Sequence, residues 1–474
     1  MADVDSSGQG SSARDPIEIS HGLEILELTP IEEHAGRGYI RISMATSYGT
    51  TLGKLWRDYD NTAIQVKEAF CQTLERWPIL SGTFGMTRSD GQERLVLFYS
   101  NSMVVWETNV NARFTQDFPL DTSVRECKDV HDLPLDAFLL KHSALPDHDP
   151  DKDDPDVPVA IRVRLIKEGA FVISFAFSEI IFDGLSIQNF LREFLLSTHL
   201  PNLTFQPRLP IVQRNMPERD TPGSYAQYKS ACSEWIQHII KDNSILNHHE
   251  PGRSATIMCF DSRRLRGLLN GIHHVNRANR IVSMVDCLFA FLWLRITRVR
   301  VDVEPEPFES RAHLKINGQR SANPEYFGNT SVTAVASLTS TQLLGDVEES
   351  PNKKEDSKDK KGPELPRKPS YIDRLALAAM SIIKARREVN HDFMSNLYGL
   401  KQTTTPEQDK VISEIVLRTS EDIILENWVN YGAHIPGYFD DKERFFCFMP
   451  CPNDTKEGTV IILPRKGSWD GRDD

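Results

Sequence analysis

A glutamate and an aspartate four residues apart, Glu179 and Asp183, stand in the run Ser178-Glu179-Ile180-Ile181-Phe182-Asp183-Gly184. Carboxylates among apolar residues can do acid–base work. A free Glu ionises near pH ~4.3, and desolvation raises that value by disfavouring the charged form. A Glu in an apolar channel can therefore take a proton, or give one once protonated. Other chemistry-bearing residues lead less far. Asp147–Asp156 alternates Asp like a calcium loop. It has Lys152 where such a loop needs Gly and Pro158 where it needs Glu, and Pro150 and Pro155 break it. It reads as a solvated loop. The seven cysteines, Cys71, Cys127, Cys232, Cys259, Cys287, Cys447 and Cys451, show no paired spacing. That argues for a reducing compartment and against a disulfide scaffold or a zinc site.

The elements around Glu179 follow from periodicity. Val159 to Leu165 alternates apolar residues with Arg162 and Arg164, and Phe171 to Phe177 is apolar throughout. With the turn Lys167-Glu168-Gly169 they predict a hairpin. Asp183-Gly184 then breaks the chain, and Leu185 to Leu196 has the spacing of an amphipathic helix. Residues 178–184 thus fall on a strand-to-helix loop, where chemistry is often placed. Helices are also predicted for Val66–Trp77 (stopped by Pro78), Tyr225–Leu246, Ser283–Arg298 with Ser283 as N-cap, and Tyr371–Val389. Further strands are predicted at Leu95–Tyr99, Thr256–Phe260, Ser331–Ser340 and Thr459–Leu463. Strands and helices intermix in both halves, so the fold class is α/β or α+β.

The chain has 474 residues and a net charge of -12. That length suits two domains and a core that needs no metal or disulfide. Lys and Arg are not clustered into a basic stripe, which excludes a nucleic-acid partner. The most apolar stretch, Phe171–Phe182, is too short for a membrane span. Residues 1–17 read as a polar tail without a secretory h-region, and the expected location is cytoplasmic. Residues 346–368, rich in Lys, Asp, Glu and Pro, read as a disordered insertion.

Several segments together resemble one family. They are Val66–Thr83 with its W-P-I-L-S-G turn, Ser283–Arg300, Asn317-Gly318-Gln319-Arg320 followed by Pro324-Glu325-Tyr326-Phe327-Gly328-Asn329, and Trp428–Tyr431 followed by Gly458–Lys466. In this order the chain resembles the BAHD acyltransferases, especially fungal members of the trichothecene 3-O-acetyltransferase type. The resemblance implies two chloramphenicol-acetyltransferase-like domains, here 18–210 and 256–474 with a crossover at 211–255, and a channel between them. It also implies an acyl-CoA co-substrate, a small-molecule acceptor, no bound cofactor or metal, and a monomer.

The family's signature on the strand-to-helix loop is H-H-x-x-x-D-G, with the second His as general base and the Asp structural. Here Ser178 and Glu179 take the two His positions, while Asp183 and Gly184 are in place. The resemblance makes Arg320 the expected partner of Asp183, and Gly184 the residue that permits a tight turn. Glu179 has two readings: the working base, or a residue at a dead site. The literal H-x-x-x-D at His238–Asp242 lacks the following Gly and lies in a helical pattern, so it reads as a decoy. His248-His249 and His273-His274 read as exposed loop pairs. The family's D-F-G-W-G motif is replaced by Ala433-His434-Ile435-Pro436-Gly437, which makes His434 a candidate substitute base. Thr330 is a candidate oxyanion donor. Three functions follow: acyl transfer from acyl-CoA with Glu179 in place of His, a repurposed channel catalysing cyclisation or isomerisation without CoA, or a non-catalytic binding protein.

Overall fold

The structure is a computed structural model. It describes residues 24–33, 35, 38–46, 59–89, 92–99, 114–120, 157–166, 171–199, 223–232, 256, 258, 260–275, 281–303, 306–318, 326–345, 369–403, 422–429, 445–450 and 458–463. In chain order the elements are β1 (Glu24–Glu27), α1 (Pro30–Glu33), β2 (Tyr39–Thr46), α2 (Tyr59–Arg76), β3 (Thr83–Ser89), β4 (Gln92–Tyr99), β5 (Phe114–Leu120), β6 (Val159–Ile166), β7 (Phe171–Ser178), α3 (Gly184–His199) and α4 (Tyr225–Ala231). They continue as α5 (Ser262–Val275), α6 (Met284–Val303), β8 (Glu309–Asn317), β9 (Ser331–Thr339), α7 (Ser340–Leu344), α8 (Tyr371–Glu388), α9 (His391–Thr403), β10 (Ile423–Asn427), β11 (Phe445–Pro450) and β12 (Thr459–Ile462).

The strands form a five-stranded sheet in the order β11-β2-β7-β6-β5, a four-stranded sheet β12-β10-β8-β9 and a three-stranded sheet β1-β4-β3. The predicted hairpin is present: β6 and β7 pair antiparallel from Val159↔Phe177 to Leu165↔Phe171. Strand β2 pairs antiparallel with β7 on its other side, and with β11 beyond, where Ile42 faces Pro450. Residues from the C-terminal part of the chain therefore complete the sheet that carries the 178–184 loop.

Helices α2 and α3 lie against the five-stranded sheet because their apolar residues recur every three or four positions. Val66, Phe70 and Leu74 of α2 and Ile187, Phe190, Leu191 and Phe194 of α3 are buried with Ile42, Ile161, Ile173, Phe175 and Phe177 of the sheet. Each such side chain contributes about 1.5–3 kcal/mol on burial. Phe190 meets Phe175, Phe177 and Phe182 edge to face, which fixes the start of α3 over the end of β7. A buried ion pair, Arg76 to Glu193 at 2.7 Å, ties α2 to α3.

A second core packs α6 and α8 on the four-stranded sheet through Trp293, Leu375, Ala379, Ile382, Ala312, Leu314 and Ala336. Trp293 donates to the Ser310 hydroxyl at 2.9 Å, so its buried indole N–H is satisfied. Ser283 starts α6 as expected. Its hydroxyl accepts from the Asp286 N–H, and Arg386 of α8 forks onto the Asp286 carboxylate at 2.7 and 3.3 Å. Beneath the start of β10, Asp422 is held by Arg311 at 3.1 Å and His313 at 3.0 Å.

Some expectations change. Residues 256, 258 and 260 belong to no strand. Met258 and Phe260 are exposed, and residues 257 and 259 lie outside the described residues. His273-His274 is not a loop pair but the last turn of α5, where the His273 ring meets the Val282 carbonyl at 3.2 Å. Helix α4 is capped at Cys232, and residues 233–246, expected to continue it, lie outside the described residues. The 1–17 tail, Asp147–Asp156, His238–Asp242, His248-His249 and the 346–368 insertion lie outside them too. Among the described residues no helix is long and apolar enough to cross a membrane.

Candidate active site

The 178–184 loop is built from the end of β7 outward. The Ser178 N–H donates to the Pro158 carbonyl, and the Ser178 carbonyl accepts from Ile181 and Phe182, closing a tight turn. Ile180, Ile181 and Phe182 are fully buried in the first core. That turn leaves Glu179 as the half-buried residue between a buried strand and a buried apolar triplet.

Glu179 is held by its backbone on both sides. Its N–H donates to the Gly38 carbonyl at 3.0 Å. Its own carbonyl accepts from the Asn329 side-chain amide. Asn329 Oδ1 in turn accepts from the Ser331 N–H at 2.7 Å, and the two contacts fix the orientation of the amide. The Glu179 carboxylate makes no hydrogen bond or ion pair with any described residue. Its neighbour at 38 is a glycine: a Cβ there would stand 4.0 Å from the carboxyl carbon.

Asp183 is buried and caps α3. Its Oδ1 accepts from the N–H groups of Ser186 at 2.8 Å and Leu185 at 3.1 Å, satisfying two orphan donors of the helix. Its Oδ2 accepts from the Thr330 hydroxyl at 2.8 Å and the Thr330 N–H at 3.1 Å. Burial pushes the Asp183 carboxyl above its usual range, although the Ser186 and Thr330 bonds pull the other way. These partners are neutral. Arg320, the expected partner, lies outside the described residues, as does His434. Gly184 is the first residue of α3, and the glycines of positive φ among the described residues are Gly345 and Gly458, so Gly184 does not use that freedom. Thr330 is not free to face an oxyanion, since its N–H donates to Asp183 and its hydroxyl is shared between Asp183 and the Asn317 side-chain oxygen.

Sequence reasoning gives segment 326–330 no positioning role: it marks Tyr326–Asn329 as part of a family pattern and Thr330 as a candidate oxyanion donor. The Tyr326 hydroxyl donates to Glu32, a buried carboxylate of α1, at 2.9 Å. Phe327 sets its ring edge to face against Trp77 and Phe182. The Gly328 carbonyl accepts from the Ser186 hydroxyl at 3.0 Å, and a Cβ at 328 would overlap Glu32 and Tyr326. Asn329 holds Glu179, and Thr330 holds Asp183. Five consecutive residues thus key the second sheet onto the loop of the first. The chemistry available is acid–base work by a carboxylate whose backbone is held on both sides and which pairs with no described residue. Among the described residues no group of three or more His, Cys, Asp or Glu is placed to hold a metal.

Comparison with known proteins agrees with this geometry. The model of the Transferase family matches residues 57–362. No curated protein is similar enough in sequence to match. Among solved structures, Fusarium sporotrichioides TRI101 in complex with coenzyme A and T-2 superposes with a TM-score of 0.64 at 14% identity, covering 94% of this chain and 92% of that one. TRI3, a trichothecene 15-O-acetyltransferase from the same organism, gives 0.59 at 12% identity, covering 93% and 90%. Vinorine synthase gives 0.55 at 13% identity, covering 95% and 88%. These likenesses carry the fold, and the family match spans more than half of the chain. The chain belongs to the transferase family of BAHD-type acyltransferases.

Proposed function

We propose that the protein transfers an acyl group from acyl-CoA to the oxygen or nitrogen of a small-molecule secondary metabolite, with Glu179 as the general base. The observation that carries this reading is the mounting of Glu179. Its backbone is clamped by Gly38 and Asn329 and no described residue bonds its carboxylate, at the position where the family resemblance puts the base. A side chain held only through its backbone can approach the acceptor's proton without first breaking a bond of its own.

In this reading the acceptor attacks the thioester carbonyl and Glu179 takes its proton, then returns it to the departing thiolate of coenzyme A. Residues 18–210 and 256–474 act as the two halves around the channel, in keeping with the two separate cores. His434 stays a substitute base to be tested beside Glu179. A cytoplasmic monomer belongs to the same reading and is in keeping with the free thiols of Cys71, Cys232 and Cys287.

The test is release of free thiol from acetyl-CoA in the presence of candidate acceptors. Glu179→Gln keeps the size of the side chain and cannot take a proton. It is expected to lower turnover by roughly 10²–10⁴-fold, the weight of a positioned general base. An unchanged rate would remove Glu179 from the chemistry and turn attention to His434. No thiol release and no thermal stabilisation by CoA, but stabilisation by an advanced polyketide or terpenoid, would favour a repurposed channel.

A further inference from the structure

We infer that the acceptor is a weakly basic primary amine rather than an alcohol. This rests on the acyl-transfer reading above and names its substrate class.

The argument starts from what a carboxylate can and cannot do. An alcohol must lose its proton while it attacks, because a neutral hydroxyl is a poor nucleophile. The base that helps it works best when its pKa lies near the working pH, as an imidazole near ~6.5 does; a carboxylate near ~4.3 is the weaker base by about two units. An amine needs no such help at the start. Its nitrogen lone pair attacks the thioester carbonyl carbon, a C–N bond forms, and the carbonyl π pair moves onto oxygen. The nitrogen is now an acylated ammonium, far more acidic than the amine it came from. A carboxylate is base enough to take that proton. The oxyanion then collapses, the C–S bond breaks, and the CoA thiolate recovers the proton from Glu179. The products are an amide and free CoA, with no further reactant.

Electrostatics point the same way. Positive charge develops on nitrogen as it attacks, and an unneutralised negative charge beside it lowers the barrier. No described residue supplies the Glu179 carboxylate with a cation or a hydrogen bond. The nearest carboxylate in sequence, Asp183, is satisfied by neutral donors and has no proton-accepting work left to do. A strongly basic amine would dock as an ammonium and stay unreactive. An α-amine next to an ester is substantially neutral near pH 7 and an arylamine almost wholly so, and either is a matched nucleophile.

The experiment uses isosteric pairs with acetyl-CoA: phenylalanine methyl ester against methyl 3-phenyllactate, and methoxyamine against ethanol, the last two small enough to need no acceptor pocket. The amine of a pair is expected to exceed its alcohol at least tenfold in kcat/KM after subtraction of the uncatalysed rate. Glu179→His is expected to narrow that ratio at least tenfold, by raising the alcohol rate. Equal or better use of the alcohols by the wild-type protein overturns the amine assignment and leaves acyl transfer standing. So does a protein that CoA stabilises but that forms no Glu179-dependent N-methoxyacetamide. If none of the four is acylated and CoA gives no thermal shift, acyl transfer itself falls, and the amine assignment with it.

Discussion

Asn329 donates its side-chain amide to the backbone carbonyl of Glu179, 150 residues earlier in the chain. The contact sets the peptide plane that follows Glu179, and with it the direction in which the carboxylate leaves the backbone. It makes Asn329 a positioning residue for the candidate base. Asn329→Asp keeps the oxygen that accepts from Ser331 and removes the donor that holds Glu179. Turnover is expected to fall about 10- to 100-fold, since small misplacements of a reacting group carry costs of that order. The KM for acyl-CoA should stay within about twofold, the mark of lost transition-state interaction rather than lost binding. Steady-state kinetics of the two proteins, with melting curves as a folding control, check it. An unchanged kcat would leave Asn329 with a structural role only.

Thr330 closes the junction from the other side. Thr330→Val preserves the shape of the side chain and deletes the hydroxyl that donates to Asp183. The buried carboxylate loses one of its donors, at an expected cost of about 1–3 kcal/mol. Thr330→Ser restores the hydroxyl and should recover most of that. Urea denaturation of the three proteins measures both differences.

Asp183 gives a pH dependence whose sign can be worked out. Its folded-state pKa lies above the unfolded value because burial disfavours the charge. Between those two values the native protein binds more protons than the unfolded chain, so this group's contribution to stability falls as pH rises. That contribution is fully present below the unfolded pKa, near ~3.9, and is lost as pH climbs through the raised folded value. Asp183→Asn cannot titrate. Across that window wild-type stability should decline with pH relative to the Asn variant. A difference between the two proteins that does not move with pH, in denaturant titrations from pH 4 upward, would contradict this.

Phe327 is the apolar part of the same junction. Removing the ring in Phe327→Ala exposes the facing edges of Trp77 and Phe182. The ring is only partly buried, so the expected loss is about 2 kcal/mol, below the ~3–5 of a fully buried Phe. Intrinsic tryptophan fluorescence should shift to the red as Trp77 gains water. Calorimetry and an emission spectrum test it together.

The local grammar of the chain was legible. The hairpin of β6 and β7, the break at Asp183-Gly184 and helix α3 all follow from alternation, a turn and a 3–4 spacing. Asp183 itself could have been read as a helix N-cap, because it immediately precedes an apolar-periodic run. The family pattern drew attention to an arginine instead. What no single sequence shows is which distant groups meet. Tyr326 to Asn329 stands out in the sequence as part of a family pattern, and nothing in it or in Thr330 says that the partners are Glu32, Trp77, Glu179 and Asp183. Side-chain pairing over such separations is decided by how the two sheets pack. The strand expected at Thr256–Phe260 is absent at the described residues 256, 258 and 260 for a related reason, since strand composition makes a strand only where a partner edge is offered.

The pairing of Ile42 with Pro450 has a consequence for how the protein is made. Strand β2 emerges from the ribosome long before β11, the strand that covers its outer edge. Until then the first sheet presents a bare row of peptide groups, the kind of edge that recruits other chains. Assembly of so non-local a sheet is intrinsically slow, and its half-made forms are prone to stick. A nascent or truncated chain that stops short of residue 445 is thus a natural client for chaperones, and premature termination yields aggregate rather than a smaller working enzyme.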